Sequence, residues 1–188
     1  MIKRCSWAGE DTRMQAYHDN EWCVENHDDR YLFEMLTLEG AQAGLSWQLI
    51  INKREAYREA FHNFSIEECA DLSDSDLEEI RVNSDIVKNK LKIRSVRSNA
   101  LAVQAIQEEF GSFSAYIWSF SGPINNDWEH ESEVPAQTEI SQIISKDLKK
   151  RGFKFVGPVI IYSYMQAIGM VNDHIVSCDF KGDYSGHV

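Results

Sequence analysis

The sequence predicts an all-α protein. Apolar residues recur at helical spacing, as in Ile86, Leu91, Ile93, Val96, Ala100, Val103 and Ile106, and Ser or Asp stands where such segments should be capped. No stretch alternates apolar with polar residues as a half-buried strand would. A length of 188 residues is enough for a real core, and residues 1–188 read as a single domain of two packed helical lobes.

Residues 1–24 read as an irregular, aromatic-rich lead-in. Asp28 or Asp29 caps the next helix, in which Leu32, Leu36 and Ala43 share one stripe. Gly40 and Gly44 break that pattern, and a second helix covers 48–61 through Leu49, Tyr57 and Phe61. Ser65-Ile66-Glu67-Glu68 and the segment from Ser73 to Asp76 each have the form of a capping box ahead of a short helix. A long helix with a basic outer face follows over 86–110, and Ser112 or Ser114 opens a brief one through Trp118. Residues 121–139 hold Gly122, Pro123, Asn125, Asn126, Asp127 and Pro135 with little periodicity, the mark of a long surface loop or lobe connection. Ile140, Ile143, Ile144 and Leu148 rebuild a helix that stops at Gly152, and Pro158 opens another through Tyr162, Met165 and Gln166. Residues 179–188, Gly-rich and polar, have the composition of a disordered end.

No apolar run approaches the roughly 18 residues of a membrane span, and no signal core follows Met1, so a cytoplasmic protein without a membrane partner is expected. Cys5, Cys23, Cys69 and Cys178 are too scattered for a disulfide framework and read as reduced thiols, free or bound to metal. The formal net charge of −11 argues against a protein that embraces nucleic acid over its whole surface. Two local basic runs remain, Lys88 to Arg97 and Lys146 to Lys154, which suit either a small phosphate footprint or solvated helix faces.

Four constellations can carry chemistry. Glu39 falls on the apolar stripe of its helix, and an ionised carboxylate buried there must be paired, protonated or kept for a ligand. Leu45 and Trp47 follow Gly44 as the wall and lip of a pocket, or as part of a plain glycine turn. Trp7, Tyr17, Trp22 and Trp47 suit a flat, positively charged ligand beside that carboxylate, unless they are simply core. Cys5 with His18, and His174 with Cys178 four residues later, have the composition of a closed zinc site, the alternative being four packed side chains. Finally, Gly152 and Gly157 bracket Phe153-Lys154-Phe155-Val156 between two helices, as in a helix-hairpin-helix that grips phosphate through backbone amides, or as in an ordinary inter-helix turn.

Ala16-Tyr17-His18-Asp19-Asn20-Glu21-Trp22, Leu38-Glu39-Gly40-Ala41-Gln42-Ala43-Gly44-Leu45-Ser46-Trp47, Lys150-Arg151-Gly152-Phe153-Lys154-Phe155-Val156-Gly157-Pro158 and Val171-Asn172-Asp173-His174 together resemble 3-methyladenine DNA glycosylase I, in the family's order and over nearly the whole chain. The resemblance implies the helix-hairpin-helix DNA glycosylase fold, with the N-terminal (1–24) and C-terminal (171–188) segments joined at a structural zinc held by Cys5, His18, His174 and Cys178. It implies a base-excision repair hydrolase that flips alkylated adenine out of double-stranded DNA and releases free 3-methyladenine. Glu39 would match the pocket glutamate and Tyr17 and Trp47 the rings that sandwich the base, with Trp22 and Trp7 nearby. Leu45, after Gly44, would enter the base stack, and Gly152, Lys154 and Gly157 would meet the backbone.

The superfamily's catalytic aspartate aligns with Asn172, and no lysine nucleophile is evident, so hydrolysis without a lyase step by a monomeric enzyme is expected. Met14, Cys23 and Asp85 depart from the family pattern, replacing an aromatic residue and two glycines. An acid at Asp85, with the net charge, predicts weak and strongly salt-sensitive DNA binding. A rival reading is a non-catalytic protein that binds alkylated or distorted DNA, or the free base, without cutting; a pure phosphate-backbone binder would not need Glu39 and its rings. A zinc hydrolase of nucleobases would carry the absent His-x-Glu and Pro-Cys-x-x-Cys pattern and an open metal position.

Overall fold

The computed structural model describes residues 2–182. After a 3-10 turn at Ser6–Ala8, helix α1 (Thr12–Asn20) starts at Asp11, whose carboxylate accepts from the N–H groups of Arg13 and Met14. Residues 1–24 are therefore not irregular throughout. The helix buries Met14, Tyr17 and His18, a mixed set that forms no apolar stripe. Helix α2 (Asp29–Gln42) is capped by Asp28, and α3 (Trp47–Ala60) by Ser46. Ser65 caps α4 (Ile66–Ala70) in one direction only, whereas Ser73 and Asp76 complete a capping box on α5 (Asp74–Asn83). The long helix α6 (Lys90–Phe110) begins after the N-cap Asn89, later than the periodicity predicts, because Ile86 buries its side chain from the preceding loop.

Helix α7 (Phe113–Ile117) is followed by the long connection, which contains strand β1 (Ile124–Asn125) and a second 3-10 turn at Glu131–Glu133. Helices α8 (Glu139–Lys150) and α9 (Pro158–Ala167) come next, then strand β2 (Val171–Asn172). The two strands pair in parallel, Ile124 opposite Val171 and Asn125 opposite Asn172, and at two residues each they are too short to show alternation in sequence.

Helix α2 is the axis of the core. Every residue from Leu32 to Ala41 is buried, because α3, α6, α7 and α9 all pack around it. Such a helix has no solvent face, so its apolar character runs all round. Gly40 lies inside the helix and does not end it. A Cβ there would stand 3.2 Å from Phe155 Cβ, so the missing side chain lets the α8–α9 turn rest on the helix. At the chain ends, the Lys3 N–H donates to the Asp179 carboxylate at 2.8 Å and the Asp179 N–H to the Lys3 carbonyl at 2.9 Å. The expected disordered end is thus anchored at its start, and residues 183–188 lie outside the described residues. Among the described residues no helix is long and apolar enough to cross a membrane.

Candidate active site and metal centre

Helix α2 buries two carboxylates with opposite fates. Glu34, fully buried, accepts from Arg54 Nε at 2.8 Å and Arg58 Nε at 2.7 Å. Arg54 also forks onto Glu21 at 2.9 and 2.8 Å, so the charges are compensated within one network. Glu39, 4% exposed, accepts no hydrogen bond among the described residues. Burial alone pushes its carboxyl up from the ordinary 4.5 to about 8, so it is mostly protonated at neutral pH.

Glu39 lines an open cleft of about 610 Å³ with Trp7, Met14, Tyr17, Trp22 and Trp47. Helical spacing on α1 turns Met14, Tyr17 and His18 inward together, so one helix serves both the cleft and the metal cluster. Trp7 meets Trp22 edge-on at 4.9 Å and 73°. Tyr17 and Trp47 stand 5.3 Å apart at 53°, which is too close for a base between them; a sandwich needs about 7 Å, two contact distances. Among the described residues Tyr17 Oη and Trp47 Nε1 are also buried without a hydrogen-bond partner. The cleft therefore joins aromatic faces to three unspent polar groups.

Several lining residues went unnoticed in the sequence. Val134, Pro135 and Ala136 bring a wall from the long connection, which Glu131 ties to Ser6 through the backbone N–H and the hydroxyl. Asp173 also lines the cleft, but Oδ1 accepts from Asn126 and Trp128, and Oδ2 from Tyr162 and Gln166. Tyr162 and Gln166, one turn apart on a largely apolar helix, were the available signal. Cys23 holds φ +64°, the left-handed backbone that a glycine favours, and its N–H donates to the Gln166 carbonyl at 2.8 Å.

Cys5, His18, His174 and Cys178 converge as expected, all buried, with one ligand atom from each within 4.8 Å of the others. Cys5 Sγ lies 3.7 Å from His174 Nδ1, and Cys178 Sγ lies 3.6 Å from His18 Nε2 and 3.4 Å from His174 Nδ1. The remaining ring nitrogens are spoken for, His18 Nδ1 by Asp19 at 2.8 Å and His174 Nε2 by the Trp22 carbonyl at 3.3 Å. Burial pushes the Cys5 thiol up to about 12 and His174 down to about 4, so a bound cation would replace the thiol proton and meet neutral imidazoles. The cluster can hold a metal ion.

The other sequence candidates lie on two turns outside the cleft lining. Gly44 (φ +79°) and half-buried Leu45 occupy the α2–α3 turn. Gly152 (φ +92°), exposed Lys154 and Gly157 lie on the α8–α9 turn, where Gly157 is the N-cap of α9. The basic runs are partly neutralised: Arg97 pairs with Asp74, and Arg151 with Asp147 and Glu109. Asp85 is likewise offset by Lys53 at 2.7 Å.

Comparison with known proteins places the chain in a family. The family model described as methyladenine glycosylase matches residues 7–182. DNA-3-methyladenine glycosylase 1 of Escherichia coli (strain K12) is 44% identical over 179 residues, covering 94% of this chain and 96% of the relative. A solved 3-methyladenine DNA glycosylase I from Staphylococcus aureus, concerned with 3-methyladenine recognition, superposes with a TM-score of 0.94 at 34% identity, covering 97% of this chain and 98% of that one. A variant of 3-methyladenine DNA glycosylase I in complex with 3-methyladenine gives 0.93 at 33% identity, covering 96% and 98%. With the aromatic cleft, the buried Glu39 carboxyl and the Cys/His cluster in place, the chain belongs to the methyladenine glycosylase family.

Proposed function

We propose that the chain is a monofunctional DNA glycosylase that hydrolyses the N-glycosidic bond of 3-methyladenine in alkylated double-stranded DNA and releases the free base. The observation that carries this reading is Glu39, a buried carboxyl in an aromatic cleft that accepts no hydrogen bond among the described residues. Alkylation at N3 leaves the purine positively charged while it is attached to the sugar, so it departs as a neutral molecule without an added proton. An entering cation supplies the counter-charge that burial denies Glu39 and draws its carboxyl back toward ionisation. The adenine amino group then donates to Glu39, while Tyr17 Oη and Trp47 Nε1 find partners on the same flat ligand. Tyr17 and Trp47 hold its faces once they part, with Trp7 and Trp22 behind them.

Asp173 is fully engaged by four donors and is not available as a base. Asn172 is turned to the Lys181 carbonyl and the His174 N–H. Among the described residues no lysine lines the cleft, which supports simple hydrolysis without a lyase step. On the DNA side, Leu45 fills the gap left by the flipped nucleotide, and the Gly152–Lys154–Gly157 turn holds phosphate in the helix-hairpin-helix manner. Zinc is the metal that suits the cluster: arms of about 2.3 Å to sulfur and 2.0–2.1 Å to nitrogen give tetrahedral S–N edges of about 3.6 Å. Four protein ligands close the site, so the metal's part is structural. The chain works as one glycosylase domain, a cytoplasmic monomer.

The test is release of free base from methylated duplex DNA, resolved into 3-methyladenine and 7-methylguanine, by the metal-loaded protein and by Glu39→Gln. Selective 3-methyladenine release that falls at least about tenfold in the variant is expected. No release by the folded wild type, or an unchanged rate and selectivity in the variant, would defeat the reading.

A further inference from the structure

The two turns assigned to DNA are both fastened to one face of α6. Lys92 Nζ donates to the carbonyls of Ala41 and Ala43, at 2.9 and 2.8 Å, where α2 gives way to the turn holding Gly44 and Leu45. Two helical turns further on, Asn99 grips the other turn through both main-chain groups of one residue. Its Nδ2 donates to the Lys154 carbonyl at 3.2 Å, and its Oδ1 accepts from the Lys154 N–H at 2.9 Å. Positions 92 and 99 share a helix face, and with Ser95 and Val96 between them that face lies against Leu36, Thr37, Gly40 and Ala41 of α2. Phe155, in the left-handed backbone region at φ +56°, closes the junction by seating its Cβ on Gly40.

We propose that Lys92 and Asn99 are positioning residues that set the spacing between the α2–α3 turn and the α8–α9 turn, so that Leu45 meets the base stack in register with the phosphates held around Lys154. The proposal rests on the glycosylase reading above. Neither side chain lines the cleft, so neither touches the base. Both act on main-chain atoms, which makes their hold independent of the side chains that the turns carry. The Lys92 ammonium sits at the C-terminal end of α2, where the helix carbonyls favour a cation. Asn99, 5% exposed, is fixed in its rotamer by packing as well as by its two bonds.

Displacing either turn by about 1 Å is enough to spoil alignment on DNA and to cost up to about 100-fold in rate, while leaving the base cleft alone. Lys92→Met and Asn99→Ala, with Lys92→Arg as the conservative replacement that keeps two donors, test this in the full metal-loaded chain. Three quantities are compared: affinity for free 3-methyladenine by tryptophan fluorescence, single-turnover base release from methylated duplex, and affinity for a duplex containing an abasic-site analogue. Free-base affinity within about twofold of wild type, duplex release down about 10- to 100-fold, and recovery of most of that loss in Lys92→Arg are expected. The double variant should lose no more than the worse single one, because both bonds define one spacing. Duplex release within about twofold of wild type in both variants would overturn the proposal. So would a parallel fall in free-base affinity and duplex release, the sign of a merely loosened core. Absence of release by the wild type would defeat the glycosylase reading instead, and the variants' affinity for the abasic-analogue duplex, expected to fall about tenfold, would still decide the spacing.

Discussion

Replacing Glu39 by glutamine should make the protein more stable, and increasingly so as the pH rises. The folded chain holds the Glu39 proton up to about pH 8, whereas an unfolded carboxyl releases it near 4.5. Between those values the folded state carries the extra proton, so stability falls with rising pH. The full difference corresponds to about 5 kcal/mol above pH 8, of which about 2 to 3 kcal/mol accrues between pH 5 and pH 7. Glutamine keeps the shape and has no proton to lose, so its burial contributes no such slope, and every other titrating group cancels in the comparison. Thermal denaturation of both proteins at pH 5, 6, 7 and 8 reads the effect. The gap in Tm should widen by about 5 to 10 °C from pH 5 to pH 7 in favour of Glu39→Gln. Parallel curves across that range would mean that Glu39 has a counter-charge in the free protein, and the account of a cation-seeking pocket would fail.

Glu34→Gln should act in the opposite sense on the same helix, costing about 3 kcal/mol at pH 7 because Arg54 and Arg58 lose their shared counter-charge; equal stability in urea denaturation would contradict that. A zinc chelator should lower Tm and expose the chain ends to protease, with base release lost in step with folding; prompt loss of activity in an intact fold would point to an open, catalytic metal. Free 3-methyladenine should change the tryptophan fluorescence as Trp47 moves away from Tyr17, from 5.3 Å toward about 7 Å. In Trp47→Phe that change should shrink while binding persists, and an undiminished signal would show that Trp47 stays where it is.

The sequence showed most of what is local. Caps at Ser65 and Ser73, and the choices of Asp28 or Asp29 and of Ser112 or Ser114 that the structure resolves to Asp28 and Ser112, located the helix starts because a side-chain oxygen two or three residues from its amide is a short-range event. Glu39 stood out as a charge on an apolar stripe. Glu34, equally buried, did not, since the arginines that satisfy it lie on α3 and only the fold brings them near. Helix α1 escaped notice for a related reason: its inward face serves a cleft and a metal cluster, so the usual apolar stripe is absent. The wall at Val134–Pro135–Ala136, the Asp173 hub and the β1–β2 pair depend on contacts between distant segments, which periodicity does not encode. The Cys/His set was visible as two pairs whose joint composition matches a closed zinc site, and the fold brings the four together.

The mutual bonds of Lys3 and Asp179, beside a cluster that takes ligands from residues 5 and 178, close the polypeptide into a ring. Its order of elements is then topologically arbitrary. Joining residues 2 and 182 through a short linker and opening the chain between exposed Gly122 and Pro123 would leave every core helix intact. Such a permuted protein would carry both metal-binding segments on one continuous stretch, turning a long-range closure into a local one and letting the cluster form early in folding.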